Sequence, residues 1–282
     1  MRTVLAVDVG GTKLAAGVVT EGGDVVVRAQ VPTAGDAEGL FDRLRRLIDG
    51  VRAGDEVACG VGCGGPMTPG GERVSPLNIP AWRGFPLRER VSVATGLTTF
   101  VDNDAKALAL GEGWRGAARG VEDFLAMVVS TGVGGGIVLG GRLLDGALGN
   151  AGHVGHVIVR PGGHRCGCGA RGCLEAEASG TAIRTRTGAP PEDASPEVIA
   201  EVGTLVGRAV ASVCNLLDLR LAVVAGSVAL GFGAPFFVAA QAELDACARL
   251  EFSRGARIVP AGLGPDGPIV GAAAVGLRGL RG

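Results

Sequence analysis

The sequence has almost no net charge. Across 282 residues, 27 Lys and Arg face 28 Asp and Glu, a formal −1. The basic stripe that would neutralise phosphates is missing, so nucleic acid is not an expected partner. Also missing is an apolar run long enough to span a bilayer, so no membrane partner is expected. At the N-terminus, Met1-Arg2-Thr3 runs into Val4-Leu5-Ala6-Val7, and Asp8 interrupts the apolar stretch too early for a signal-peptide core. A cytoplasmic protein is the expectation. There is no G-x-x-x-x-G-K-[ST] segment, which excludes a Walker phosphate loop. Histidine is scarce: only His153, His156 and His164 occur.

Glycine is abundant, with 51 residues and no period, and reads as many tight backbone turns. With 47% hydrophobic residues, the length permits one large domain or two ordinary ones. Apolar runs at Val4–Val9, Leu14–Val19 and Val25–Ala29 predict a hairpin-rich sheet. Leu40, Leu44, Leu47, Ile48 and Val51 share a helical face. Further strands are expected at Val57–Val61, Thr99–Val101, Phe124–Ser130, Ile137–Leu139, Leu221–Ala225 and Arg257–Val259. Helices are expected at Ala105–Glu112, Pro196–Leu219, Pro235–Leu250 and Ile269–Leu277, and an irregular surface loop at Pro76–Pro86. This alternation predicts an α/β fold in two lobes. The expected division is a small lobe, 1–104, rejoined by a C-terminal helix at 268–282, and a large lobe, 105–267.

Two glycine turns carry chemistry. Asp8-Val9-Gly10-Gly11-Thr12-Lys13 lies between apolar strands, where adjacent glycines turn the backbone and present N–H groups to an anion. Asp8, at a strand end, is placed to hold Mg²⁺. Ser130-Thr131-Gly132-Val133-Gly134-Gly135-Gly136 has the same character and opens the second half. One such turn is a plain hairpin as readily as a phosphate site; two, one in each half, suit a nucleotide. A third turn, Ala225-Gly226-Ser227, could receive the adenosine. Between them lies Val101-Asp102-Asn103-Asp104-Ala105. Asp104, at a strand-to-helix junction, could serve as a general base, although a plain helix cap at Asp102 or Asp104 explains an aspartate there as well.

Cys166, Cys168 and Cys173, three cysteines in eight residues, join a nearby histidine in a set suited to tetrahedral zinc. An odd number of cysteines argues against simple disulfide pairing. A four-ligand site has no open position, so the metal would be structural. His153 or His156 suits the fourth position better than His164. The remaining cysteines, Cys59, Cys63, Cys214 and Cys247, are expected to be small core residues.

With these motifs on view, the sequence resembles the ROK family of bacterial sugar kinases and sugar-responsive repressors over its whole length. The resemblance rests on Asp8-x-Gly10-Gly11-Thr12-Lys13, Asn103-Asp104-Ala105, Ser130-Thr131-Gly132-x-Gly134-Gly135-Gly136, and His156 followed by Cys166-x-Cys168-Gly169-x-x-Gly172-Cys173-x-Glu175. It implies a two-lobed, actin-like ATPase (ribonuclease H-like) fold with a zinc-bearing loop insertion, ATP and Mg²⁺ as cofactors, and a homodimer. By the same resemblance, His156, Cys166, Cys168 and Cys173 bind structural Zn²⁺ and Asp104 is the base. Gly65, Asn78, Asn103, Asp104, His153, His156 and Glu175 would line the sugar pocket. Asp8, Gly10, Gly11, Thr12, Lys13, Thr131, Gly132, Val133, Gly134 and Gly226 would hold the nucleotide and its phosphates.

One departure bears on the substrate. Many members carry Glu-x-Gly-His where this chain has His153-Val154-Gly155-His156. The histidine version resembles bacterial N-acetylmannosamine kinases within the family, which points to an N-acetylated amino sugar ahead of glucose. A sugar-sensing repressor would add an N-terminal winged helix-turn-helix, and a first strand at residue 4 leaves it no room.

Overall fold

The computed structural model describes residues 2–281. In chain order its elements are β1 (Thr3–Val9), β2 (Lys13–Thr20), β3 (Val25–Pro32), α1 (Ala37–Asp49), β4 (Cys59–Cys63), α2 (Leu87–Thr95), β5 (Thr99–Asn103), α3 (Asp104–Arg115), β6 (Phe124–Val129), β7 (Val133–Leu139), β8 (Arg142–Leu143), α4 (Leu174–Ala178), α5 (Gly180–Thr187), α6 (Pro196–Leu217), β9 (Leu221–Ala225), α7 (Ser227–Phe232), α8 (Ala234–Cys247), β10 (Arg257–Pro260) and α9 (Gly267–Arg281). They form two compact units. Unit 1 comprises residues up to Arg119, with Leu143–Ala151 and the segment from Gly262; unit 2 comprises Gly120–Arg142 and Gly152–Ala261.

Each unit is built on a five-stranded sheet, and the two sheets share one plan. Unit 1 has the order β3-β2-β1-β4-β5 and unit 2 the order β8-β7-β6-β9-β10. In both, the first strand pairs antiparallel with the second and parallel with a later one, β1 with β4 and β6 with β9. In open sheets with parallel strands, ligands collect at the carboxyl ends of those strands. In unit 1 that edge holds the row Val9, Cys63, Asn103, with Asp8, Gly62, Asp102 one step behind.

The local signals explain the helices. Asp36 caps α1 by accepting from Gly39 N–H at 2.8 Å, and Leu40, Phe41, Leu44, Leu47 and Ile48 form its buried stripe. Helix α9 lies on β1 and β4, where close approach needs glycine: a Cβ on Gly60 would fall 1.9 Å from Ala272 O. The same holds for α6 on α8, where a Cβ on Gly207 would meet Ala240 O at 2.2 Å. Glycine in this chain therefore serves helix packing as well as turns.

Five expectations from sequence need correction. Strand β4 begins at Cys59 and runs through Gly62 and Cys63, so the expected start at Val57 is two residues early. As a parallel strand buried on both faces it shows no alternation, and its ends are set by β1 and β5. Gly134–Gly136 belong to β7, paired with β6, and not to a loop. The 76–86 segment is not surface loop: Ile79, Trp82 and Phe85 are buried, Trp82 stacks on Phe85 with centroids 4.3 Å apart, and Val74 bridges Met67 and Phe85. Helix α3 falls in unit 1, packed on α9, so the boundary expected after Asp104 lies about a helix later, at Arg119. Cys59, Cys63 and Cys214 are buried, but Cys247 is exposed.

Candidate active site and metal centre

In unit 1 the β1–β2 turn is closed by Gly10 N–H to Lys13 O at 3.0 Å, and Thr33 Oγ1 donates to Gly10 O at 2.8 Å. Gly11, Thr12 and Lys13 are exposed at its tip. Asn78 sits against this turn so closely that a Cβ on Gly11 would lie 2.6 Å from Asn78 Cβ. Across the sheet edge, Asn103 caps α3: its Oδ1 accepts from Ala105 N–H at 3.0 Å. The capping role thus falls to Asn103, and Asp104 is the first helical residue. Ala105 N–H also donates to Asp104 Oδ1 at 2.8 Å, which fixes that carboxylate.

Asp8 and Asp104 approach one another over Gly62, whose absent Cβ would lie 3.7 Å from both Asp8 Oδ1 and Asp104 Cα. Burial, then the Asp104 charge, raise the Asp8 carboxyl to about 7, with Lys13 pulling it down. Burial likewise raises Asp104, against the hydrogen bonds of the backbone. The Cys63 thiol is driven well above its ordinary value by burial and by both aspartates, so it stays protonated and inert. Two carboxylates whose charged forms oppose each other are suited to a cation on one and a proton transfer on the other. Gly65 lies two residues beyond Cys63 in the following loop.

In unit 2 the β6–β7 turn is tied down by Ser130 N–H to Gly132 O at 2.9 Å. The start of α5 holds it from behind: Gly180 N–H donates to Ser130 O at 2.8 Å and Thr181 Oγ1 to Thr131 O at 2.9 Å. Only Thr131 and Gly132 of the expected phosphate segment lie in the turn. Val133 N–H is committed to Glu175 Oε2 at 3.0 Å, and Gly134 is a strand residue. At the end of β9, Gly226 has φ 102°, and a Cβ there would fall 2.2 Å from Val129 O. Beside it, the Ser227 and Ser130 hydroxyls are 2.9 Å apart.

The structure brings His156, Cys166, Cys168 and Cys173 together, with their ligand atoms all within 4.8 Å of one another. Cys166 Sγ is 3.6 Å from His156 Nδ1, and Cys168 Sγ is 3.7 Å from Cys173 Sγ. A tetrahedral zinc with bonds of about 2.3 Å to sulfur and about 2.0 Å to nitrogen sets the sulfur–nitrogen edge at roughly 3.5 Å and the sulfur–sulfur edge at roughly 3.8 Å. The donor set and its spacing therefore fit such an ion. All seven cysteines are free. His164 is not in the set. His153 is exposed, and its ring centroid is 6.0 Å from that of His156.

Glu177 was not singled out from sequence, yet it organises the cysteine loop. Its fully buried carboxylate accepts from His164 N–H at 2.6 Å and from Arg160 Nη1 at 3.0 Å, with His164 Nδ1 at 2.9 Å. Arg160 and Arg186 also meet at Glu201. The available signal was a second glutamate within one short turn of Ala and Leu after Cys173.

Residues 4–278 match the ROK family. The chain belongs to the ROK family. A glucokinase of Streptomyces coelicolor is 39% identical over 208 residues, 72% of this chain and 65% of that protein. The chain thus spans slightly under two thirds of that relative's length. An N-acetylmannosamine kinase of Yersinia pseudotuberculosis is 35% identical over 252 residues, 81% of this chain and 84% of that protein. The crystal structure of a ROK family glucokinase from Streptomyces griseus in complex with glucose and AMPPNP superposes with a TM-score of 0.86 at 32% identity, covering 98% of this chain and 99% of that one. The fold is the actin-like ATPase fold of the ROK sugar kinases. Among the described residues no helix is long and apolar enough to cross a membrane.

Proposed function

We propose that this protein is an ATP-dependent hexose kinase that phosphorylates the 6-hydroxyl of an N-acetylated amino sugar, N-acetylmannosamine or N-acetylglucosamine. The observation that carries the reading is Asp104, held by Ala105 N–H at the carboxyl edge of the unit 1 sheet beside Asp8. Asp104 takes the proton from the attacking hydroxyl, and its burial, by raising the carboxyl, makes it a stronger base. Asn103 spends its carbonyl on the helix cap, which leaves its NH₂ to donate to a sugar hydroxyl. Asn78 and Gly65 complete the sugar contacts of unit 1. In unit 2, Glu175 spends one oxygen on Val133 and keeps the other for the sugar.

The turn Gly10–Lys13 and the turn at Thr131 and Gly132 receive the phosphates of ATP, and Gly226 lies by the adenosine. Asp8 would hold Mg²⁺, which supplies charge neutralisation to the phosphates. The cysteine loop would hold structural zinc on His156, Cys166, Cys168 and Cys173, fixing the His156 ring and the start of α4. Seven free cysteines suit a reducing cytoplasm. A homodimer is the expected assembly.

His153 is the basis for choosing an acetamido sugar. A glutamate there would accept two hydroxyl protons, whereas an imidazole can donate to the acetamido carbonyl. Glucose is the second reading, favoured by the likeness to two glucokinases. A coupled ADP-release assay over glucose, mannose, N-acetylglucosamine and N-acetylmannosamine tests both. N-acetylmannosamine or N-acetylglucosamine should give the highest kcat/KM, and His153→Glu should swing the ratio toward glucose by roughly tenfold or more. An unchanged ratio with both activities intact would remove His153 from the choice of sugar.

A further inference from the structure

Within unit 2, the chain from Arg160 to Gly172 closes on itself. Val159 and Arg160 N–H both donate to Gly172 O, at 2.9 and 3.2 Å, and Gly172 N–H donates to His164 O at 2.9 Å. Further out, Cys166 N–H donates to Ala170 O at 2.8 Å and Arg165 bridges Arg171. Beyond the loop, Leu174 N–H donates to Val157 O at 2.9 Å, which joins the start of α4 to the segment after His156. The crossing requires glycine at position 172, where φ is 74° and a Cβ would fall 1.7 Å from Arg160 O.

Glu177 enters the closed end of this loop from α4. One oxygen takes His164 N–H, and the other faces Arg160 Nη1 and His164 Nδ1. A Cβ on Gly163 would lie 2.3 Å from the same carboxylate, so the loop admits the glutamate only with glycine there. Arg160 continues the chain of charges outward. Its Nη2 is 2.6 Å from Glu201 Oε1 on α6, and Glu201 Oε2 is 3.1 Å from Arg186 Nη1 on α5. Helix α6 takes a second hold through Arg208, whose Nη1 donates to Val159 O at 3.1 Å. None of these bonds uses a sulfur atom or the His156 ring. They nevertheless flank the ligands closely: His164 precedes Cys166 by two residues, and Glu177 N–H donates to Cys173 O at 3.2 Å, one turn away. A fully buried carboxylate is costly unless its oxygens are filled, so Glu177 holds the loop to one arrangement.

We propose that Glu177, Arg160 and Glu201 form a brace that presets the cysteine loop for zinc and so sets how tightly the metal is held. The brace rests on the structural-zinc reading above. Its three residues are positioning residues and not ligands; they act through the main chain at Arg160, His164 and Cys173. A loop that metal must first order spends binding energy on that ordering, whereas a loop already braced does not. The effect of the brace therefore belongs to zinc affinity, beyond any contribution to the stability of the fold.

The test titrates the zinc-loaded, full-length chain with a chelator of known zinc affinity and records its melting curve at saturating zinc. Wild type is compared with Glu177→Gln, Arg160→Gln, Arg160→Lys and the Glu177→Gln/Arg160→Gln double variant. Glu112→Gln, at a buried carboxylate of unit 1, serves as a control for stability alone. The brace predicts a zinc Kd raised roughly 10–100-fold in Glu177→Gln. Arg160→Gln should move it the same way, Arg160→Lys should recover part of the loss, and the double variant should be less than additive. The Arg160 side chain is 38% exposed, so its variants carry the test should Glu177→Gln fail to fold. Glu112→Gln should lower the melting temperature and leave the zinc Kd unchanged. A lower melting temperature with an unchanged Kd in the Glu177 and Arg160 variants makes these residues part of the fold only and overturns the brace. A Kd raised equally in Glu112→Gln does the same, since general loss of stability then accounts for it. A wild type that binds no zinc sinks the zinc reading, and the brace falls with it; equal, tight binding throughout leaves that reading standing and sinks the brace alone.

Discussion

Burial and the neighbouring Asp104 bring the Asp8 carboxyl to about 7, against an unfolded value of about 4. Between those values the folded chain binds a proton that the unfolded chain does not. Its contribution to stability is therefore lost as pH rises through that window, and above about 7 the full cost of a buried charge is present. In metal-free protein, Asp8→Asn should melt higher than wild type at pH 8, and the gap should shrink as pH falls from about 7 to about 4. A gap independent of pH would remove Asp8 from the titration. Asp8, Asp104 and the cysteine set were legible in the sequence because their motifs are local. The state of Val133 was not: it is fixed by Glu175, 42 residues away, which takes the amide that the glycine-rich segment offered to phosphate. No local motif marks Lys106, and only the fold brings Asp145 to it.

At the scale of elements, the long periodic helices and hairpins were readable from pattern, whereas α2, α4, α5 and α7 were not. Helix α4 has five residues, too few to show a period, and follows directly on Cys173, which makes no side-chain cap. Helix α2 buries Leu87, Val91 and Thr95 at helical spacing, but its β-branched residues weaken the local signal. The cysteine loop has little regular structure of its own. Purified protein should carry about one zinc per chain, as a single four-ligand site requires. Cys168→Ser should lower zinc content and melting temperature together, since binding energy at such a site is folding energy. Full zinc occupancy in that variant would exclude Cys168 as a ligand.

For the whole molecule, the α/β class followed from alternation, and the shared plan of the two sheets was foreshadowed by the two glycine turns. The exit from unit 1 at Arg119 and the inclusion of Leu143–Ala151 in it were not readable, because they rest on contacts between segments distant in sequence. The returning segment is held by Glu112, a fully buried carboxylate that accepts from Gly262 and Leu263 N–H at 3.0 and 3.1 Å, as well as from Ala117 N–H at 2.7 Å. Such long-range closures leave no periodic trace in the chain. The proposed function asks Asp104, at the carboxyl edge of the unit 1 sheet, to act as the base, and phosphoryl transfer is the account's central claim. The most direct measurement is turnover of ATP and hexose by wild type and by Asp104→Asn, with the fold of the variant verified by its melting curve. The account predicts ADP formation that depends on hexose in wild type and a kcat lower by roughly 10²–10⁴-fold in a folded Asp104→Asn. Near-full turnover in that variant, or no hexose-dependent ADP from wild type, would contradict it.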